Sequence, residues 1–306
     1  FINLQNLKKG RIGKNDGLKE DRAIGLNPCG EIPLEHREVC NVAESNPMAC
    51  DTPEQWYAAC GYATMYMSTV ALRPTHQPTT NAVVARNRRI GLSIMNVTGW
   101  IATKGGHNVT RYMRKGYDIV TSVNKWLADE AGVPESIRKT TIKPGGSVPK
   151  MIGETAGCGY PTFEHTLIRF KVGKHHPIAQ VLMNANVPYE QDLYESDTWV
   201  FEIPIVQGPS KPAAKVSLYE QAMVLTMVQR EWADNAVSNT LYFKPKWVYS
   251  QSYKVEDLPV TWLCIADRLS DTQEEYLLGD QAKFVGVFDE GRLTSIKRYT
   301  FDPNHE

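Results

Sequence analysis

Helix-period and strand-period segments alternate from about residue 53 to residue 245, and this alternation constrains the fold more than any other feature of the chain. It favours an α/β layer or barrel with parallel strands, because each strand-to-strand return then carries a helix. "TPEQWYAACGYATMYMSTVAL" predicts a helix with Thr52 as N-cap, Pro53 at the first helical position and Glu54 in the first turn. In "TRYMRKGYDIVTSVNKWLADEAG" the apolar residues Tyr112, Ile119, Val120, Val123 and Leu127 recur at helical spacing, and Gly132 supplies a stop. A capping box, Ser217 with Glu220, opens a further helix predicted to run to Ala236 with Met223, Met227 and Trp232 in the core. "NRRIGLSIMNVTGWIA" reads as a strand or loop passing into a short helix; "DTWVFEIPIV" and "NTLYFKP" read as strands. Glycines and prolines break every periodic run in residues 1–52, which are expected to be irregular. Three regions follow: 1–52, 53–245, and an extension over 246–306 whose short apolar runs alternate with charges.

The 306 residues are 42% hydrophobic, ample for a large core, and 34 basic residues balance 34 acidic ones. Nothing in that balance points to nucleic acid or to a membrane surface. No stretch approaches about 18 continuous apolar residues, and "FINLQNLKKG" lacks the apolar core of a signal peptide, so a cytoplasmic protein is expected. The opening Phe suggests a processed or truncated piece. Six cysteines (29, 40, 50, 60, 158 and 264) are too sparse for a disulfide scaffold, and no Cys-x-x-Cys pair offers a zinc site. His175 and His176, beside Pro177, read as an exposed turn; Arg86, Arg88 and Arg89 read as a solvated face before a phosphate contact.

The stretch "LNPCGEIPLEHREVCN" places Asn27, Cys29 and Glu31 on alternate positions. In an extended loop they would face one side, with Glu31 as general base, Asn27 binding a hydroxyl and Cys29 as the reactive atom. Spacing alone favours a surface loop with a Pro-x-Gly turn and a half-buried Cys29 over that catalytic arrangement. Downstream, "TTIKPGGSVPKMIG" reads as a short strand entering a glycine-rich turn, where Gly145, Gly146 and Ser147 after Pro144 offer N–H groups and a hydroxyl to phosphate oxygens.

"NPCGEI" resembles the finger loop of ribonucleotide reductases, and "TTIKPGGSVPKMIGETAG" resembles that family's substrate-phosphate loop; "RNRRIGLSIMNVTGW" and "WADNAVSNTLYF" resemble its barrel segments. The resemblance implies a ten-stranded α/β barrel, of which this chain would be the second half with the finger loop. It implies reduction of ribonucleotides to 2′-deoxyribonucleotides: Cys29 as thiyl-radical site, Glu31 as base towards the 3′-hydroxyl, Asn27 as ribose ligand, and Pro144, Gly145, Gly146 and Ser147 as phosphate loop. Cys40, spaced as one member of the reductant thiol pair, would close to a disulfide that a thioredoxin-like donor reduces; an inert buried thiol is the alternative. No cysteine precedes Cys29, so its partner, with the first half-barrel, is expected on a companion chain or a missing segment. The nearest class is the adenosylcobalamin-dependent class II. The alternative is a class I-type subunit that takes its radical from a metal-bearing partner, with Tyr242 in the relay; there Tyr242 is followed by Phe243, so half of the usual tyrosine pair is absent. The substrate would be a ribonucleoside di- or triphosphate.

Overall fold

The protein is described by a computed structural model covering residues 21–206, 208–242, 247–254, 256, 275–278, 282–289 and 292–301. Cys264, residues 1–20 and the end of the "NTLYFKP" segment lie outside the described residues. The chain divides into two compact units, Phe1–Tyr242 and Phe243–Glu306.

The first unit rests on a layer of parallel segments. Strand β3 (Val42–Ser45) pairs in parallel with β4 (Gly91–Ile94), Val42 opposite Gly91 and Ser45 opposite Ile94. The layer continues through single parallel bridges, Leu92 to Thr140 and Ile142 to Val237. All four residues of β4 are buried, as the centre of a parallel layer covered on both faces requires. Ahead of β3 lies a hairpin of two-residue strands, β1 (Gly25–Leu26) and β2 (Pro33–Leu34). Within the stretch expected to be irregular, residues 25–26, 33–34 and 42–45 thus form strands, while turns and coil join them; pairs this short carry no readable period.

Helices pack on this layer. Helix α1 (Pro53–Leu72) is capped by Thr52, whose hydroxyl accepts from Gln55 N, and it buries Trp56, Tyr57, Cys60 and Met67 while Tyr62 and Tyr66 face solvent. After α2 (Pro78–Asn87), β4 and α3 (Val97–Lys104), helix α4 (Gly106–Ala131) ends at Gly132, whose φ of 63° only glycine adopts freely. The buried line of α4 is Met113, Gly116, Val120, Asn124 and Ala128; the predicted stripe lies mainly one position to its side, partly buried. The glycine is there for contact: a Cβ at Gly116 would stand 2.6 Å from the Trp56 ring. Trp56 packs against Trp100 and Trp232 with ring centroids 4.9 and 5.6 Å away. The Trp232 indole N–H lies 3.1 Å from Leu92 O and 3.0 Å from Thr141 O, so this ring spans two parallel segments.

Three expectations fail beyond the one-turn helix α5 (Val148–Met151). The capping box opens α7 (Leu218–Glu231) as read, Glu220 N donating to Ser217 Oγ at 3.1 Å, but the helix stops at Glu231 rather than Ala236. Asp234 N and Asn235 N donate instead to Thr140 Oγ1 and Thr140 O, at 3.0 and 2.9 Å, and this draws the chain into the layer. Trp232 is fully buried, Met227 packs beside the core, and Met223 is 51% exposed, against the core position predicted for it. Residues 238–242 form no strand. An antiparallel sheet precedes α7, in the order β5 (His165–Gly173), β7 (Thr198–Val206), β6 (Tyr189–Gln191), with helix α6 (Pro177–Asn184) beside β5. Strand β7 follows the sequence reading; β5 was not anticipated. His176 caps α6 through its ring Nδ1.

In the second unit, β8 (Trp247–Lys254), β9 (Glu275–Leu278), β10 (Ala282–Asp289) and β11 (Arg292–Phe301) form an antiparallel sheet in the order β8-β11-β10-β9.

Candidate active site

The loop between β1 and β2 is a tight turn. Gly30 N donates to Asn27 O at 2.9 Å with Gly30 at φ +80°, and Asn-Pro-x-Gly is the composition of a type I turn. Asn27 closes the loop twice more: its N–H donates to Ile32 O, and its Oδ1 accepts from Ile32 N, both at 3.0 Å. This turn overrides the extended alternation expected of Asn27, Cys29 and Glu31. Asn27 and Glu31 are buried, at 8% and 1% exposure, while Cys29 stands exposed at the tip.

All three nevertheless bear on Cys40, Asn27 by contact and Glu31 and Cys29 through their charge. Asn27 Nδ2 donates to Cys40 Sγ at 3.5 Å, a reach accepted for sulfur. Burial of its sulfur, then the Glu31 charge, push the Cys40 thiol up; the Asn27 amide opposes them, Cys29 adds to the rise and Lys143 counters it. Cys40 as a residue is exposed, while its sulfur meets the loop at the Asn27 amide. One oxygen of Glu31, Oε2, is buried and has no hydrogen-bond partner among the described residues. Such an atom is costly to bury and marks a place where a partner is expected.

The loop is seated on the parallel layer. Glu31 O accepts from Ala236 N at 2.9 Å and lies 2.8 Å from Thr141 Oγ1; Ser238 Oγ donates to Cys29 O at 2.6 Å. Gly91 makes room beneath, since a Cβ there would meet Ile32 Cδ1 at 2.6 Å. At the base, Arg89 is 3% exposed and not on a solvated face. Its guanidinium donates to Asp21 Oδ1 at 2.7 Å, Glu38 Oε1 at 2.9 Å and Asn235 Oδ1 at 3.3 Å. Although burial works against its charge, Asp21 and Glu38 hold Arg89 above its ordinary value. Arg86 pairs with Glu35, and Arg88 donates to Ala71 O.

The glycine-rich turn follows the segment Thr140–Ile142. Gly145 is buried, and a Cβ there would stand 2.5 Å from Glu44 Oε1 and 2.9 Å from Pro149 Cγ; Gly146 has open space around it. Ser147 is exposed and makes no capping bond to α5. Pro144, Gly145 and Gly146 line a cavity of about 480 Å³ together with Lys150, Tyr160 and Tyr242. Tyr242 is held there by Gln221, whose amide accepts from Tyr242 N at 2.8 Å and donates to Tyr242 O at 2.7 Å, as a neighbouring strand would. Its phenol accepts from Thr162 Oγ1 at 3.3 Å.

Sequence reasoning missed Thr141, Ser238, Gln221 and the Arg89 cluster. Thr141 and Ser238 lie inside motifs already singled out, but hydroxyls that support a loop through its backbone leave no spacing signal. Among the described residues no group of three His, Cys, Asp or Glu side chains converges as a metal site, and no helix is long and apolar enough to cross a membrane.

No protein-family model matches the chain. A Dictyostelium discoideum protein named as a probable adenosylcobalamin-dependent ribonucleoside-triphosphate reductase is 34% identical over 228 residues, 74% of this chain and 30% of that protein. The adenosylcobalamin-dependent ribonucleoside-triphosphate reductase of Euglena gracilis is 31% identical over 249 residues, 80% of this chain and 34% of the enzyme. A crystal structure of a B12-dependent (class II) ribonucleotide reductase superposes with a TM-score of 0.67 at 26% identity, covering 78% of this chain and 38% of the other. The chain spans about a third of the length of the curated relatives it matches. Over about three quarters of its own length, then, the chain is a homologue of the adenosylcobalamin-dependent, class II ribonucleotide reductases, with an α/β fold of that type.

Proposed function

We propose that this chain forms the thiol-bearing half of a ribonucleotide reductase active site and acts on a ribonucleoside triphosphate, the substrate class named for its relatives. The observation that carries the reading is the Asn27 amide 3.5 Å from the Cys40 sulfur, on the loop that also carries Cys29 and the buried Glu31. Cys29, exposed at the loop tip, is the radical site that takes the 3′-hydrogen of the ribose. Glu31 accepts the 3′-hydroxyl proton through Oε2, the oxygen without a partner among the described residues. Asn27 has a second amide hydrogen to offer the ribose hydroxyls. As the 2′-oxygen leaves as water, Cys40 and a second thiol give up two electrons and close to a disulfide, which a thioredoxin-like donor then reduces. Pro144, Gly145 and Gly146, which line the cavity, receive the phosphates together with the adjacent Ser147.

One feature of the site suits adenosylcobalamin: Cys29 is exposed, which leaves its side chain open to the approach of a bulky group. When bound, the cofactor supplies the radical that removes the thiol hydrogen of Cys29. The parallel segments 42–45, 91–94, 140–142 and 237 are read as part of the second half of a ten-stranded barrel, and the remaining strands, with the partner of Cys40, as lying on a companion segment or chain. A radical delivered by a metal-bearing partner subunit through Tyr242 is the competing reading; Tyr242 lines the cavity and bonds Thr162.

The test is deoxynucleotide formation from each ribonucleoside triphosphate with adenosylcobalamin and a dithiol, by this chain alone and with a chain supplying the first half-barrel. Product in either case, lost on Cys29→Ala, is expected. Product that requires a metal-bearing subunit instead of the cofactor would favour the Tyr242 reading, and product surviving Cys29→Ala would overturn the assignment of the radical site.

A further inference from the structure

We infer that Arg89 is a positioning residue for the reactive loop: a buried clasp that ties both ends of the 21–38 segment together and so sets Asn27 against Cys40. The inference rests on the reading of this segment as the reactive-thiol loop. Asp21 stands where the chain enters the loop, and Glu38 where it leaves, two residues before Cys40. One guanidinium meets both, at 2.7 Å to Asp21 Oδ1 and 2.9 Å to Glu38 Oε1, with all three side chains almost wholly buried. Each carboxylate is tied further. Asp21 Oδ1 accepts from Ala23 N at 3.1 Å, and its Oδ2 lies 3.4 Å from Arg138 Nε. Glu38 Oε1 accepts from Asn87 Nδ2 at 3.0 Å and Oε2 from Glu35 N at 2.8 Å.

The planar fork of arginine explains why the residue is not lysine: three N–H groups point at three fixed acceptors, Asp21, Glu38 and Asn235, and an ammonium cannot reach them at once. Asn235 joins the clasp to the turn that also supplies Ala236 N to Glu31 O, so base and tip of the loop are held from one segment. In this arrangement the Asn27–Cys40 contact depends on a charge cluster that touches neither residue.

The test reads thiol chemistry rather than turnover, so the clasp is judged independently of whether the chain reduces nucleotides. Alkylation of the full chain at fixed pH, followed peptide by peptide, gives the rate at Cys40 relative to Cys50, a half-buried thiol outside the loop. Arg89→Lys is expected to raise that ratio by about 5-fold or more, as loosening of a buried pair frees the sulfur from its cover. If Arg89→Lys instead speeds Cys40, Cys50, Cys60 and Cys158 together, Glu38→Gln, which keeps the shape but removes the charge and one of the two acceptor oxygens, decides by the same ratio. A ratio unchanged in Glu38→Gln, or a uniform rise in both variants, would overturn the inference.

Discussion

The loop from Leu26 to Leu34 and the turn from Pro144 to Ser147 both turn the chain with proline and glycine, yet the protein treats them in opposite ways. The first is bonded at its tip by Ser238, along its length by Ala236 and Thr141, and at its base by Arg89. In the second, Gly146 faces open space and Ser147 makes no capping bond. Hydrogen-atom transfer tolerates little misplacement, so a loop that presents the reacting sulfur gains from fixed geometry. A loop that receives phosphate gains from N–H groups not already spent.

The largest test of that contrast is Cys29→Ala. Turnover by the active assembly should fall to background while the chain unfolds at the same denaturant concentration, within about 0.5 kcal/mol, because Cys29 is exposed. A large loss of stability would mean that the thiol itself braces the loop. Thr141→Val comes next. It removes the hydroxyl lying 2.8 Å from both Glu31 O and Ala236 O, and should cost about 1–3 kcal/mol in chemical denaturation. Gly145→Ala should cost a comparable 1–3 kcal/mol, roughly the price of overpacking, with its Cβ 2.5 Å from Glu44 Oε1. Gly146→Ala, with open space around it, should stay within about 0.5 kcal/mol and reveal itself only as weaker nucleotide binding in titration calorimetry. If both glycine variants behave alike, the turn is not divided into a packed and a free half.

The smallest effect is a pH dependence. Burial and then the Glu31 charge raise the Cys40 thiol above its ordinary value of 9.0, and the thiolate is the reactive form. Alkylation of Cys40 should therefore rise with pH through a midpoint above 9.0, and the same raised value means that any stability it lends is present below the unfolded thiol's pKa and lost as pH rises through the folded one. Glu31→Gln should speed the reaction at fixed pH. An unchanged rate would separate Glu31 from the field at Cys40.

Much of the scaffold was legible in the sequence because its signals are local. Thr52, Gly132 and Ser217 mark helix ends by chemistry that involves only their own neighbours. What escaped depends on distant partners. The Ser217 helix was drawn too long because Trp232 to Ala236 continue its apolar pattern, and only Thr140, about ninety residues earlier, ends it. The core line of α4 was displaced because Gly116 and Asn124, chosen for contact with Trp56 and for bonds to Ser68 and Ser136, do not look apolar. Arg89 read as surface because a charge in sequence does not announce the two carboxylates that meet it. At the site itself, residue types were readable and orientation was not: the Asn27–Gly30 bond turns an alternating pattern into a buried amide, an exposed thiol and a buried carboxylate.

The bond from Ser238 to Cys29 O spans 209 positions of the chain, and Arg89 to Asn235 spans 146. Contacts between such remote positions close late, after the loops between them have paid their entropy. The seat of the thiol loop therefore cannot be completed before residue 238 has left the ribosome. Until then the loop that carries Cys29 lacks its supports at Ala236 and Ser238, so the order of synthesis fixes this loop only after the layer beneath it has been made.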